Sequence, residues 1–519
     1  MKKTILALAI AAIASPVIAG SDMPTPVKAQ AASAPKAQNL ESDISLTTLN
    51  VKFHEAPTEE QIQAVLDVAG ATVKSNHSRF KMITIEFDGN PDEIKTAIET
   101  LPFVKQVMFD KAIKSQALTT TALPEEDLFS QMWNWHNGGG FIESTDRPND
   151  TNPYLYVNGV DLGALEARRL LEDRVNSMED IIIAVFDSGV NYNDPALKDM
   201  MWVNADEIPD NGIDDDGDSY IDNIYGIAPN KTVSGDPIAT TSTHGTQVAG
   251  VICEKINNAY AGAGLTPRCK IMAINIEDDN GIQWENATIS GIDFVLNEGV
   301  KISNFSNSMS GSADETLMAS YDAFVALKDG GHLVVAASGN DSQSIDDTPL
   351  YPASYSMDNV ITVNGITGTG GRATYSNYGA ISTDIAAPTN GIVTTSFTSD
   401  GSVLTPVEST SFNGTSAATP EVAAVAAALW SLSPSLTYTQ VRDYVLNNAQ
   451  VIPNYTDVRD IEDGGSVLEN VTLSSTGGML DFTASVKALI ADIEGNSTKL
   501  GVPANKVFES LNFGSAHTP

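Results

Sequence analysis

Three side chains far apart in the chain could together perform nucleophilic catalysis. Ser416 lies in Ser411-Phe412-Asn413-Gly414-Thr415-Ser416-Ala417-Ala418-Thr419-Pro420. A serine hydroxyl becomes a useful nucleophile only when a neighbouring base takes its proton. His244, in Thr243-His244-Gly245-Thr246-Gln247, could be that base. Asp187, in Val185-Phe186-Asp187-Ser188-Gly189, could orient the imidazole and stabilise its cation. Read singly, each has a plainer use: a helix cap, a helix-start histidine, a strand-end cap. Asn340, in Ala337-Ser338-Gly339-Asn340, could donate its amide to an oxyanion or simply form a Gly-Asn turn.

The elements around these residues favour chemistry. Glu421–Trp430 is Ala-rich and almost wholly apolar. That composition favours helix, and an apolar surface all round means a buried one. Pro420 fits its first turn. Ser416 therefore sits at a helix mouth, where free N–H groups and partial positive charge suit a developing oxyanion. Gly414 lets another backbone approach closely. Strands are expected at Ile181–Phe186, Lys270–Ile276, Lys301–Phe305, His332–Ala337 and Asn359–Val363. Helices are expected at Asp161–Glu172, Gly245–Asn257, Asn286–Asn297, Asp314–Lys328 and Thr437–Asn447. Apolar strands alternating with helices predict an α/β fold, a mostly parallel central sheet with helices on both faces. Chemistry then sits at the carboxyl ends of strands, where Asp187 and Asn340 fall.

The order Asp, His, Ser, carried by D-S-G, H-G-T and G-T-S-x-A-x-P together, resembles the subtilisin-like serine peptidases. The resemblance covers roughly residues 120–490. It implies an endopeptidase with Asp187, His244 and Ser416 as its triad. Asn340 and the Ser416 N–H would hold the oxyanion. It also implies that Ser306-Asn307-Ser308, with Gly339, forms the edge on which a peptide lies as an added strand. The family usually has Ser-Leu-Gly there, so Asn307 predicts a more polar neighbouring pocket. Leu350 stands at the base of the P1 pocket, often a glycine position, and predicts small or medium apolar P1 side chains. Gln247 replaces a frequent second histidine and Ala417 a usual methionine; both changes are expected to be tolerated. An esterase of the α/β-hydrolase kind would need G-x-S-x-G and the order Ser, acid, His, and neither surrounds Ser416. The remaining rival is a catalytically inactive relative kept as a peptide-binding or scaffold protein.

Asp214-Asp215-Asp216-Gly217-Asp218-Ser219-Tyr220-Ile221-Asp222 puts several acid oxygens in one tight loop. Hard Ca²⁺ demands such oxygens, so Asp214, Asp216, Asp218, Tyr220 and Asp222 are candidate ligands of a structural calcium ion. The alternative is a solvated acidic loop. Asn257-Asn258-Ala259-Tyr260 resembles a second calcium loop of the family, but Ala196 stands where that site expects an aspartate.

Composition and order along the chain complete the reading. Lys2-Lys3, the apolar run Ile5–Ile13 and small residues near Ala19 read as a secretory leader over residues 1–19. No other stretch is apolar for long enough to span a membrane. Residues 20–43 read as a linker. From 44 to 120 a strand-helix-strand-strand-helix-strand order predicts a small α+β, ferredoxin-like domain. It resembles the family's inhibitory propeptide, which implies an intramolecular inhibitor whose tail, about Lys111–Thr121, lies in the active site until cut. The catalytic domain is expected over 121–497 and a loose tail over 498–519. His136 reads as packing or surface. Lys and Arg total 29 against 66 Asp and Glu, and this −37 charge argues against a nucleic-acid partner. The expected partners are protein or peptide substrates, met by a secreted monomer. Export permits a disulfide between the two cysteines, Cys253 and Cys269, which could otherwise be buried thiols.

Overall fold

The computed structural model describes residues 44–115, 131–138, 140–142, 154–233, 235–240, 242–256, 262–400, 403–452 and 472–495. The expected leader, linker, propeptide junction (116–130), second calcium loop (257–260) and tail (498–519) lie outside the described residues.

The N-terminal unit has the expected order. Strands Ile44–Phe53, Ala71–His77, Met82–Phe87 and Val104–Ser115 alternate with helices Glu59–Ala69 and Pro91–Glu99. Thr58 and Gln61 form a capping box at the first helix, and Asn90 caps the second with Pro91 at its first position. All pairings in this sheet are antiparallel. Alternation sends Leu49, Val51, Ile83, Ile85 and Val107 to one face, against the two helices. The other face carries a buried polar chain. His77 Nε2 lies 3.0 Å from Thr84 Oγ1, and Asn50 Nδ2 donates to Asp110 Oδ1 at 3.5 Å. Asp110 Oδ1 also accepts the Asn286 N–H at 3.0 Å. Asp110 therefore caps the helix Glu285–Asn297 of the following domain, which has no side-chain cap of its own. Lys52 pairs with Asp322, and Arg79 with Asp293 at 2.7 Å, across the same face.

Among the described residues the central sheet has nine strands. In spatial order they are Gly226–Ile227, Cys269–Asn275, Ile181–Asp187, Ile302–Phe305, Leu333–Ala337, Val360–Ile366, Ile385–Pro388, Gly478–Met479 and Gln450–Val451. All pairings are parallel except the last. The two-residue period divides the core. Ile183, Val185 and Ile271 face helices His244–Cys253 and Thr415–Leu432. Ala184, Phe186 and Met272 face helices Glu285–Asn297 and Tyr321–Asp329. Among the described residues no helix is long and apolar enough to cross a membrane.

Three local features differ from or complete the expectation. The helix expected over Asp314–Lys328 breaks into a 3₁₀ turn, Glu315–Leu317, and a helix, Tyr321–Asp329. Buried Glu285 accepts both the N–H and the hydroxyl of Ser320, which fixes the break. A hairpin, Ile392–Ser399 with Leu404–Phe412, was not anticipated. Cys253 and Cys269 form a disulfide with Cα atoms 6.0 Å apart, joining the end of one helix to the start of a strand.

The helix Thr415–Leu432 is buried over nearly its whole length, including Glu421. Glu421 Oε1 accepts Asn134 Nδ2 at 2.7 Å, while its Oε2 has no partner among the described residues. Burial holds this carboxyl well above the usual carboxylate range. A group whose folded pKa is raised contributes its full stability below the unfolded value, and that contribution is lost as pH rises through the folded value. Glu421→Gln removes this loss. Its Tm should exceed wild type near neutral pH by a few degrees, with the gap closing towards pH about 4.3, the unfolded glutamate value. Thermal melts of both proteins across pH check this.

Candidate active site

Asp187 ends its strand fully buried. A buried carboxylate needs partners. Its Oδ1 accepts the Ser188 N–H at 2.7 Å, and both oxygens approach His244 Nδ1, at 2.7 and 2.8 Å. His244 is the first residue of its helix, and Ser242 Oγ accepts its N–H at 3.2 Å. The helix is pinned to the Asp187 loop by Gly245 N–H to Ser188 Oγ at 3.1 Å and Asn191 N–H to Thr246 Oγ1 at 2.9 Å. His244 Nε2 is buried and has no hydrogen-bond partner among the described residues.

Ser416 is the second residue of the buried helix Thr415–Leu432, at the mouth foreseen from composition. Its hydroxyl donates to the Ser306 carbonyl at 2.8 Å, not to the imidazole. Ser306 returns its own hydroxyl to the Ser416 carbonyl at 3.1 Å. The structure thus joins Asp187 and His244 directly and ties the Ser416 hydroxyl to Ser306, on the expected substrate edge.

Asn340 follows the strand Leu333–Ala337. Its Oδ1 accepts the Thr415 N–H at 3.0 Å, and Thr415 Oγ1 accepts the Gly339 N–H at 3.2 Å. The strand end and helix mouth are therefore stitched together. Gly339 has φ 101°, and a Cβ there would lie 2.8 Å from Leu350 Cδ1. Leu350 is buried beside Gly339. Asn307 is buried, and its Nδ2 donates to the Phe186 carbonyl at 2.6 Å. Its donor is thus spent on backbone beside Asp187, where a more polar pocket had been expected.

The strand Asn307–Ser310 is paired on both edges. On one side it takes Leu350–Tyr351. On the other, Asn307 lies opposite Ser115 and Ser308 opposite Lys114, antiparallel. The same tail of the N-terminal unit pairs Ile113 with Gln283 and Ala112 with Trp284. Residues 112–115 therefore form the middle strand of a three-stranded piece, as an added strand would.

In the acidic loop, Glu207, Asp214 and Asp216 bring one oxygen each within 4.8 Å of one another. Three hard carboxylate oxygens fit a calcium ion in chemical type. Backbone N–H groups hold these acids in place: Asp215 and Asp216 on Glu207 Oε1, Gly217 and Asp218 on Asp214 Oδ1. Asp218 Oδ2 accepts Asn223 Nδ2 at 2.8 Å, and Asp222 accepts the N–H groups of Asn211 and Gly212. The Tyr220 ring packs edge-on to Phe294 at 6.1 Å. Burial, joined by the charges of Asp216 and Asp214, pushes the Asp218 carboxyl up to about 7. Glu207 was missed because it lies outside the Asp-rich run and no motif marks it.

A strand-end acid, a helix-start histidine and a helix-mouth serine on a parallel α/β sheet define the class of serine peptidases of subtilisin-like fold. Residues 178–479 match the Subtilase family, and the chain belongs to it. It is 32% identical over 310 residues to subtilisin-like protease 1 of Plasmodium berghei, covering 56% of this chain and 49% of that one. It is 30% identical over 336 residues to an extracellular protease of Xanthomonas campestris, covering 60% and 54%. The chain thus spans about half the length of these relatives. A thermophilic serine proteinase of a Bacillus species is 28% identical over 73% of this chain and 77% of its own. The crystal structure of fervidolysin from Fervidobacterium pennivorans shares the fold, with TM-score 0.61 and 20% identity over 87% of this chain and 62% of that one.

If Asn340 serves the oxyanion, Asn340→Gly should lower kcat by about 10²–10³ with little change in KM. That magnitude, about 2.7–4 kcal/mol, is the known cost of removing such a donor from subtilisin and is taken over from it. Steady-state kinetics on a chromogenic peptide check it.

Proposed function

We propose that this protein is a secreted serine endopeptidase made as a self-processed zymogen. The observation that carries this reading is the His244 Nδ1 bond to buried Asp187, with Nε2 unpartnered among the described residues. On this reading Ser416 must release the Ser306 carbonyl and turn its hydroxyl towards Nε2. Its oxygen then attacks the scissile carbonyl as Nε2 takes the proton. Asp187 stabilises the imidazolium. Asn340 and the Ser416 N–H hold the oxyanion. Collapse expels the amine, protonated by His244, and leaves an acyl group on Ser416. Water, deprotonated by His244, releases the acid and restores the serine.

Substrate chains bind as an added strand along Ser306–Ser308. The N-terminal unit supports the zymogen reading, because its own tail holds that position. Ser115 lies opposite Asn307, one residue short of Ser306, whose carbonyl holds the nucleophile. Cleavage therefore falls soon after Ser115. The leader over residues 1–19 supports export. Glu207, Asp214 and Asp216 hold a structural calcium ion, which screens their mutual repulsion.

One observation favours a second reading, an inactive peptide-binding relative: the Ser416 hydroxyl is bonded to Ser306 and not to His244. A fluorophosphonate probe separates the two. Wild type should label at Ser416 and carry a new N-terminus after Ser115 and no later than Thr121. It should cut library peptides after small or medium apolar residues rather than Phe or Tyr. Ser416→Ala should neither label nor lose residues 44–115. Unlabelled, fully processed wild type supports the inactive relative.

Calcium should raise Tm by several degrees, since saturation at a hundredfold excess over Kd is worth about 2.7 kcal/mol. Glu207→Gln should lose most of that response. A chelated wild-type protein whose melt does not move on adding calcium argues against the ion.

A further inference from the structure

Gln247 stands one turn into the helix that His244 begins. Thr243, the residue before His244, donates its hydroxyl to Gln247 Oε1 at 3.3 Å. Gln247 Nε2 donates to Ser409 Oγ at 3.1 Å. Its backbone carbonyl accepts Thr394 Oγ1 at 2.9 Å. One glutamine thus joins the flank of the catalytic histidine to both strands of the Ile392–Phe412 hairpin. The contact is close: a Cβ on Gly250 would stand 2.2 Å from Thr394 Oγ1. A further tie, Thr395 N–H to Glu254 Oε2 at 3.1 Å, holds the far end of the same helix.

The hairpin also reaches the reacting groups. Its return strand ends at Phe412, whose ring meets the His244 ring edge-on at 5.7 Å. Four residues later the chain arrives at Ser416. One hairpin therefore touches the base and delivers the nucleophile. Nothing between Asp187 and His244 sets the distance from imidazole to hydroxyl; that falls to whatever joins the histidine helix to the nucleophile strand.

We infer that Gln247 is a positioning residue. Through Ser409 it clamps the histidine helix to the hairpin and fixes the imidazole relative to Ser416. The inference rests on the peptidase reading. A displacement of about 1 Å in such an arrangement can cost on the order of a hundredfold in rate, so loosening one tie of several should cost about tenfold.

The test compares Gln247→Met, Ser409→Ala, the double variant and Ser409→Thr, all in the processed enzyme from the full chain. Gln247→Met and Ser409→Ala should each lower kcat about tenfold with KM within about twofold. The double variant should be no worse than the poorer single, because both remove one bridge. Ser409→Thr keeps the hydroxyl and should restore kcat. Unchanged kcat in both singles, or effects that multiply in the double, overturns the clamp. A readout independent of turnover uses the Ser416→Ala protein. The downfield proton resonance of His244 Nδ1–H should shift or broaden with Gln247→Met; an unmoved resonance overturns the inference. Wild type inert towards both peptide and fluorophosphonate would refute the peptidase reading while leaving the resonance test to decide this one.

Discussion

A carboxylate with no solvent exposure must find compensation inside the protein, and Asp187 finds it in one backbone N–H and one imidazole. That requirement organises much of the domain. The strand Ile181–Asp187 lies inside the sheet, between Cys269–Asn275 and Ile302–Phe305. The helix of His244 must start where that strand stops. Its first turn is bonded to the Asp187 loop, and its last residue is covalently tied to the neighbouring strand through Cys253 and Cys269. Because the helix is held at both ends, the imidazole keeps one orientation. Its Nδ1 is committed to the acid, which leaves Nε2 as the only basic position.

The Ser416 side follows a different logic. Its helix is small-residue and apolar, so it can run through the core against the sheet. At its mouth, the first backbone N–H groups of that helix have no partner four residues back within it. Thr415, Gly339 and Asn340 stitch that mouth to the end of the neighbouring strand. Asn340 and the Ser416 hydroxyl therefore belong to one corner, and His244 belongs to another. The hairpin Ile392–Phe412 spans the two.

The N-terminal unit couples to this frame through charge as well as strand pairing. Its apolar face is satisfied internally, so its other face must be polar, yet it is buried. Asp110 resolves part of that conflict by capping a helix that lacks its own cap. The cost remains visible: burial, with Glu285 close by, pushes the Asp110 carboxyl up to about 7.

Much of this was legible in the residues alone. The Ala-rich run announced a buried helix, and apolar strands with interposed helices announced the parallel sheet, because both are periodic and local. The helix expected over Thr437–Asn447 begins at Tyr438, within a residue of that expectation. The hairpin was not legible: its Ser- and Thr-rich strands bury hydroxyls against another helix, so no apolar alternation marks them. Glu207 joins the acidic loop only because the chain folds back through backbone N–H groups. The bond from the Asn307 amide to the Phe186 carbonyl could not be foreseen, because folding alone brings those residues together. The sequence by itself determined which elements form and which side chains could react, since propensity, periodicity and motif depend on near neighbours. Only the tertiary structure decided that Ser416 rests on Ser306 and that Gln247 bridges to the hairpin, since those bonds join residues 110 and 162 positions apart.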